Sequence, residues 1–466
     1  MNTRLLILTS RKNYIWVSME EIISWIEKSW VKWAIQREIS YKIINVDEST
    51  FVEFTKAALV SDLIVVTCFN TSIASFLTPL RSKLSLPTPW LFYLHGLASF
   101  GCWPLFQWKV GQSLTSRDTF IGSCNRDRDQ FNLVFQNIPC SIIPFSLHSE
   151  KALSPKAQNP IRKFVFIGRI TSQKNLHSLI LALSILKTKW SYSDWEMHFF
   201  GKEDNYGSPL MGRREKDYQK YLENLANHLK LSEHIHFHGF IPREDIERMM
   251  ENEQWIFVAP SMHSDENFGM AAFRSLINGH QAILSDWGGH HDFQKEFSQA
   301  LKLLPVFHSE IGPFMDIKQL AEAFRDASYI ELPAKKYPDY YSQARLNLEY
   351  DELWKRATSE ALTEAVSTSP LVNEILQRRA DFIKAGTSDG SQIYGDYQDE
   401  LKDVFFKAYG EREYQANYSE TSELCPWVKE TIDTYEVNDP HRGYFTFKKS
   451  HYRQEDLLKL GLAYSY

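Results

Sequence analysis

Short apolar runs alternate with amphipathic stretches along the first 150 residues, and this alternation predicts strands and helices in turn. The helical pattern is clearest over 18–37 and 126–136. Strands separated by helices pair in parallel through right-handed crossovers, so this region predicts a doubly wound sheet. The predicted strands are 4–9, 41–46, 62–68, 90–95, 119–124 and 140–145.

The same alternation resumes after a polar stretch with two prolines at 148–163, which predicts a linker. The pattern therefore indicates an α/β fold with two Rossmann-like domains, the first over 1–155 and the second over 156–335. A ligand cleft is expected at the carboxyl ends of both sets of strands. The second sheet is predicted from 163–168, 195–200, 234–239, 255–259, 282–285 and 301–305.

The last part of the chain, 336–466, predicts a helical extension. Its clearest helical stretches are 347–366 and 371–384. The pattern does not tell whether this extension covers an acceptor site or mediates assembly into an oligomer.

Two loops of the second half have the composition of phosphate-binding loops. The first, RITSQKN (169–175), follows an apolar strand that ends at Gly168. Its Arg169 could grip two phosphate oxygens in a fork, and its Lys174 would supply a point charge. The second, PSMHSDENFG (260–269), precedes a helix whose N-terminus offers unpaired N–H groups. Positive charge in both places would neutralise a leaving diphosphate and points to a nucleotide-linked donor.

Five motifs in this order resemble the family 4 retaining glycosyltransferases of the GT-B fold. That family shows a G-R loop followed by lysine, glycines at strand ends, a P-S-x-x-E-x-F-G loop and a final G-G pair. The matching stretches here are GRITSQK (168–174), FFGKED (199–204), HFHGFIPREDIERM (236–249), PSMHSDENFG (260–269) and SDWGGHHD (285–292).

The resemblance implies that Glu266 contacts the donor sugar near its reacting carbon. It also implies that the backbone around the helix start binds the diphosphate or the sugar hydroxyls. The residues expected to bind the donor on this basis are Gly168, Arg169, Lys174, Gly201, Ile241, Asn267, Phe268, Gly269, Met270 and Arg274.

Arg274 departs from the family pattern. The family carries a second glutamate eight positions after the first, where it holds the ribose hydroxyls. An arginine donates hydrogen bonds but cannot accept them. Either ribose is recognised differently, or the donor carries an additional anionic group, or turnover has been lost.

His95 ends the predicted strand 90–95. In the resembled family a histidine at this strand end often faces the donor sugar, which makes His95 a second catalytic candidate. A histidine after a strand is also common as a structural residue, and both interpretations stay open.

The composition narrows the class of protein. Apolar residues make up 43% and charged residues 24%, which is typical of a globular protein. A net charge of −6 and a pI near 6.2 argue against a nucleic-acid partner. The five cysteines lack metal-ligand spacing and predict reduced, buried thiols in a cytoplasmic protein.

Membrane association is predicted to be peripheral at most. The uncharged stretches 63–80 and 84–108 are interrupted, and neither forms a continuous apolar helix of about 20 residues. The stretch 18–37 carries Trp25, Trp30 and Trp33 beside basic residues, which would allow contact with the inner face of a membrane.

Two patterns that suggest a metal are assigned to structure instead. Asp127 and Asp129 form a D-x-D pattern, but they are expected to cap a helix start. His234, His236 and His238 alternate along one predicted strand without a partner cluster of cysteine or aspartate. No metal is therefore expected, and no cofactor beyond the donor substrate.

The sequence thus predicts a retaining, metal-independent hexosyltransferase. Its partners would be a UDP-, GDP- or ADP-linked sugar and a carbohydrate, lipid-linked or protein acceptor. A non-catalytic, glycosyltransferase-like binding subunit is the alternative that Arg274 favours. A nicotinamide-dependent oxidoreductase is disfavoured because no G-x-G-x-x-G follows the first strand.

Overall fold

The computed structural model describes 4–11, 17–95, 113–146, 161–171, 174–203, 218–263, 266–307, 313, 315–327, 338–359, 367–368, 370 and 406–412. These residues form two compact units. The first unit takes the described parts of 1–148, 337–393 and 399–408. The second takes the described parts of 149–336, 394–398 and 409–466.

A parallel six-stranded sheet forms the centre of the first unit, in the order β2-β1-β3-β4-β5-β7. Its first five strands have the flavodoxin-like order, whose switch point lies between β1 and β3. The strands are β1 (Leu5–Thr9), β2 (Tyr41–Asn45), β3 (Leu63–Val66), β4 (Trp90–Tyr93), β5 (Thr119–Gly122) and β7 (Cys140–Ile142), with the short β6 (Phe135–Gln136) preceding β7.

Helices fill the connections of this sheet. They are α1 (Val17–Gln36), α2 (Phe51–Ala58), α3 (Thr71–Ser82) and α4 (Asn125–Val134). All four positions of β3 are buried, so both faces of the strand are covered, as expected for a parallel sheet. Thr50 caps α2 and its partner Glu53 completes a capping box, which explains why this helix begins at Phe51.

Helix α11 (Gln343–Thr358) packs against α1 within the first unit. Trp30 stacks on Tyr350, and the Trp33 indole donates to Asp351 at 2.9 Å. Both tryptophans are at most 1% exposed. They therefore belong to the core, and the sequence-based argument that they contact a membrane is wrong for these two residues.

The second unit is built on another parallel six-stranded sheet, in the order β10-β9-β8-β11-β12-β13. Counted from β8, this is the Rossmann order 3-2-1-4-5-6, whose switch point lies between β8 and β11. The strands are β8 (Arg162–Ile167), β9 (Trp195–Phe200), β10 (Ile235–Gly239), β11 (Ile256–Ala259), β12 (Gln281–Ser285) and β13 (Leu301–Leu304).

The helices of the second unit follow the strands in turn. They are α5 (Leu176–Trp190), α6 (Tyr218–His228), α7 (Arg243–Met250), α8 (Met270–Ile277), α9 (Gln294–Phe297) and α10 (Ile317–Asp326). Short 3-10 helices span Gly288–Phe293 and Asp339–Tyr341, the latter in the first unit. Two small sheets pair β14 (Val306–Phe307) with β16 (Glu411–Arg412), and β15 (Ser367–Thr368) with β6.

The predicted α/β fold with two doubly wound sheets is confirmed. All twelve predicted strands are present, each with its ends shifted by no more than three residues. Of the extension, the predicted helix 347–366 overlaps α11, whereas 371–384 lies outside the described residues. Most of the predicted linker, 148–160, also lies outside them, and β8 begins at Arg162.

Smaller expectations concern single residues. The N-cap of α4 is Cys124 and not an aspartate, but Asp127 lies in the first turn, where its carboxylate accepts from the Ser123 N–H at 3.2 Å. Asp129 forms an ion pair with Arg128. Cys68, Cys124 and Cys140 are free thiols, and the first two are buried. None of the described helices combines the length and the apolarity needed to cross a membrane.

Candidate functional site

The carboxyl ends of β8 and β9 approach each other so closely that glycine is required. Gly168 N donates to Phe200 O at 2.9 Å, and Gly201 N donates to Gly239 O at 2.8 Å. A Cβ at Gly201 would lie 1.7 Å from Gly168 O, so no side chain fits there. These glycines fix the path of the backbone from which Arg169 and Lys174 follow.

Lys174, Ser261 and Glu266 meet at the switch point between β8 and β11. The Lys174 ammonium contacts the Glu266 Oε2 atom and donates to Ser261 Oγ at 3.3 Å. Ser261 Oγ donates to the same Glu266 oxygen. The side chains of Lys174 and Glu266 are only 16% and 12% exposed, so this is a largely buried ion pair.

Electrostatics keep the Glu266 carboxylate ionised. Burial alone would raise its pKa, but the charge of Lys174, followed by that of His290, outweighs burial and holds the pKa well below its ordinary value. Burial lowers the pKa of Lys174, against the attraction of Glu266. The charge of Arg169 lowers it further.

His290 is buried on the other side of Glu266. Its Nδ1 donates to Ser285 O at 3.2 Å, and its Nε2 lies 4.0 Å from Glu266 Oε1. The ring occupies the space beside Gly269, where a Cβ would lie 2.6 Å from His290 Cδ2. Gly269 has a φ of 81°, a left-handed conformation that also favours glycine.

The glycine pair after β12 holds the backbone of Glu266 in place. Gly289 N donates to Glu266 O at 2.7 Å. A Cβ at Gly288 would lie 2.2 Å from that carbonyl oxygen, and a Cβ at Gly289 would lie 2.4 Å from Asn267 O. The G-G pair thus serves to let two loops touch through their backbones.

A segment far along the chain packs against this glycine pair. The Tyr409 ring lies edge-on to Trp287 at 5.3 Å, against Gly288. Arg412 contacts one oxygen of Asp286, whose other oxygen lies 2.7 Å from His291 Nδ1. β16 continues this contact by pairing with β14.

The remaining predicted donor-binding residues surround the start of α8. Met270 is the first residue of the helix and Gly269 its N-cap. Phe268 is 2% exposed, and its ring packs against Phe273 and Phe293. Only the backbone of Phe268 therefore remains for a ligand, as the sequence analysis assumed.

Arg274 and Ile241 lie towards α7. Arg274 is half-buried on α8. The pKa of Glu244 on α7 is lowered first by its own backbone N–H and by Arg243, and Arg274 adds to this effect. Ile241 is half-buried in the loop between β10 and α7.

His95, the second catalytic candidate, belongs to the first unit and follows β4. Its Nε2 lies 2.9 Å from Thr67 O and its ring lies beside Phe145. Burial lowers the His95 pKa to about 4, so the ring is neutral at pH 7 and donates this hydrogen bond.

Sequence reasoning did not assign a role to Ser261, Ser285 or Arg412. Ser261 stands two residues after β11, and strand-end position was the signal that could have identified it. Ser285 ends β12, where its hydroxyl donates to Ser261 O at 2.5 Å. Arg412 meets Asp286 across 126 positions, and no local pattern marks such a contact.

Residues 151–329 match the family model described as glycosyl transferases group 1. This stretch contains the Lys174–Glu266 pair and the glycine pair, so both lie in the part of the chain that matches this family model. Comparison with curated protein sequences gives no match.

Several solved structures are similar to the chain. They include Anabaena HepE in complex with UDP and glucose, at 13% identity and a TM-score of 0.46, covering 82% of this chain and 100% of that one. A glycosyltransferase from Rickettsia africae shows 12% identity and a TM-score of 0.45, with 86% and 100% covered. The lipopolysaccharide outer core galactosyltransferase WaaB shows 12% identity and a TM-score of 0.43, with 75% and 99% covered.

Proposed function

We propose that the protein is a retaining glycosyltransferase of the GT-B type that moves a hexose from a nucleotide-diphosphate sugar to an acceptor hydroxyl. The observation that carries this proposal is the buried Lys174–Glu266 pair at the switch point of the second sheet. The pair lies inside the region that matches the group 1 glycosyl transferases. Ligands of open α/β sheets bind at such switch points.

Arg169 and Lys174 would neutralise the leaving diphosphate. An ammonium group has three N–H donors, and Lys174 uses two of them on Ser261 and Glu266 among the described residues. The third is available for a phosphate oxygen. Fixed positive charge at a leaving group, in a site of low exposure, lowers the barrier more than it would in water. The proposal therefore requires no metal.

Glu266 would act on the sugar. The anomeric carbon gains positive charge as its bond to the diphosphate oxygen breaks, and an ionised carboxylate stabilises that charge. The new bond to the acceptor oxygen forms on the same face of the sugar. The proton of the acceptor hydroxyl passes to the departing phosphate oxygen, so no protein base is needed.

The acceptor is proposed to be a carbohydrate, a lipid-linked molecule or a protein, and the enzyme to be cytoplasmic. His95 is proposed as a hydrogen-bonding group for the donor sugar. Its neutral ring donates from Nε2 to Thr67 O, which makes Nδ1 the acceptor that would bind a sugar hydroxyl.

A non-catalytic binding subunit is the second candidate, and Arg274 is the observation that favours it. Arg274 stands where the resembled family has the ribose-binding glutamate, and a guanidinium donates hydrogen bonds but accepts none. A protein with this substitution could bind a sugar nucleotide without turning it over.

The test begins with a thermal-shift screen of the full chain against UDP, GDP and ADP. A nucleotide that binds only the folded protein raises its melting temperature. The sugar conjugates of that nucleotide are then incubated with the protein, and nucleotide release is followed. We expect one nucleotide to stabilise the protein and its sugar conjugate to be consumed. Stabilisation without release would select the binding subunit, and stabilisation by none of the three would contradict both candidates.

A further inference from the structure

A cluster of metal-ligand side chains lies on one face of the second sheet, on β9 and β10. Glu196 and His198 come from β9, and His236 comes from β10, directly opposite His198 in the parallel register. One potential ligand atom of each residue lies within 4.8 Å of those of the other two. Within the described parts of the chain, no other group of three such residues meets this criterion.

The spacing inside this cluster suits a small divalent ion. His198 Nε2 lies 3.3 Å from Glu196 Oε2. Two ligands of a tetrahedral zinc ion, each about 2.0–2.1 Å from the metal, lie about 3.3 Å apart. The rings of His198 and His236 have centroids 4.8 Å apart, and a ring nitrogen of His236 lies within 4.8 Å of the ligand atoms of Glu196 and His198.

His238 lies on the side of the His198 ring opposite Glu196. Its Nε2 lies 2.9 Å from His198 Nδ1, the nitrogen that faces away from Glu196. A metal-bound histidine usually gives its other ring N–H to a hydrogen-bond acceptor, which fixes the orientation and tautomer of the ring. His238 is placed to be that acceptor.

The cluster is accessible to an ion but not fully exposed. The His198 and Glu196 side chains are 12% and 33% exposed. The edge of the Trp255 ring packs against His198, with centroids 4.9 Å apart. The histidines along β10 do not by themselves indicate a metal site, because the other ligands come from β9, about 40 positions earlier in the chain.

We propose that Glu196, His198 and His236 bind a zinc-like divalent cation, with His238 positioning His198. Three protein ligands leave a fourth position for water or another donor. The ion would join the edge strand β10 to β9. It would act on stability in addition to, and independently of, the proposed sugar transfer.

Zinc binding is measured on the metal-free full chain, without an affinity tag, by competition with a chromophoric chelator. We expect one zinc ion per chain and a rise in melting temperature on binding. His198→Ala or His236→Ala should weaken zinc binding at least 100-fold. Glu196→Gln removes the third ligand and should weaken it as strongly, whereas His238→Ala should weaken it about 10- to 100-fold, the range typical of supporting groups.

His228→Ala is the matched control, because His228 is an exposed histidine at the end of α6. It should bind zinc like the unaltered protein. Co²⁺ substitution provides a readout that does not depend on any variant folding, since a tetrahedral site gives strong visible absorption. Absence of one-to-one zinc binding, or binding that survives both His198→Ala and His236→Ala, would show that these imidazoles only stack on one another.

Discussion

The switch points of the two sheets carry different kinds of side chains. In the first unit, Asn70 donates to Ser10 Oγ at 2.9 Å and the neutral His95 donates to Thr67 O. In the second unit, the corresponding place holds the buried Lys174–Glu266 pair. Both sheets are parallel and doubly wound, so topology provides the place for a site while the loop residues decide what it can do.

The largest effect is expected from removing the cation of the second unit. Lys174→Met should lower kcat/KM for sugar transfer about 100- to 1000-fold, because the leaving diphosphate loses a fixed charge. His95→Gln, in the first unit, keeps a hydrogen-bond donor and should lower kcat/KM no more than about tenfold, since one hydrogen bond contributes about 0.5–1.5 kcal/mol. Initial rates of nucleotide release measure both. Equal losses of kcat/KM in the two variants would contradict the expected difference between the two units.

Lys187→Met controls for loss of a lysine near the surface. Lys187 lies on α5 and pairs with Glu233, whose side chain is 76% exposed, so its removal should leave the rate unchanged. Removing Lys174 also leaves Glu266 buried without its partner, which costs about 3–5 kcal/mol in comparable pairs. The double variant Lys174→Met, Glu266→Gln separates this loss of stability from the loss of rate. It should recover melting temperature but not activity.

The two units should respond to acid in different pH ranges. The Glu266 pKa is lower in the folded protein than the ordinary value of about 4.3, so the unfolded chain takes up the proton first. Its stabilising effect is complete above about pH 5 and is lost as the pH falls further. The His95 pKa is about 4 in the folded protein, against about 6.5 when unfolded. Its contribution is therefore lost as the pH falls from about 7 towards 4.

The test is to measure the melting temperature of the unaltered protein, of Glu266→Gln and of His95→Gln between about pH 8 and about pH 4. This range spans the ordinary pKa values of about 6.5 for histidine and about 4.3 for glutamate. The difference from the unaltered protein isolates each group from all other titrating residues. In His95→Gln the melting temperature should depend less on pH above about pH 5. In Glu266→Gln it should depend less on pH only below about pH 5. A Glu266→Gln difference that already changes with pH near neutrality would mean that this carboxyl is not held ionised.

The smallest effect is expected from the ion pair between Arg412 and Asp286, which joins two distant parts of the second unit. The Arg412 side chain is 54% exposed although its partner Asp286 is buried. Arg412→Ala should therefore cost about 0–1 kcal/mol of unfolding free energy. Urea unfolding measures this change in unfolding free energy. A loss above about 2 kcal/mol would mean that the buried Asp286 carboxylate depends on Arg412 as its partner.

Strand positions were predictable because apolar runs of strand length are a local signal. The places of Arg169 and Lys174 are indicated by the same kind of signal, since both follow the end of β8, whereas Glu266 is indicated only by the resemblance of its loop to a family motif. The contact between Lys174 and Glu266 joins positions 92 apart, and nothing in either loop specifies its partner. The metal-ligand cluster on β9 and β10 was missed because it depends on the register between two strands.

The Tyr409 ring and the Glu266 carbonyl oxygen both lie in the space that a side chain at Gly288 would occupy. The residues that shape this loop are thus separated by more than a hundred positions of intervening chain. During synthesis the ribosome would release the whole second sheet well before Tyr409 emerges. Until Tyr409 has been synthesised, the loop that carries Glu266 would lack part of its packing.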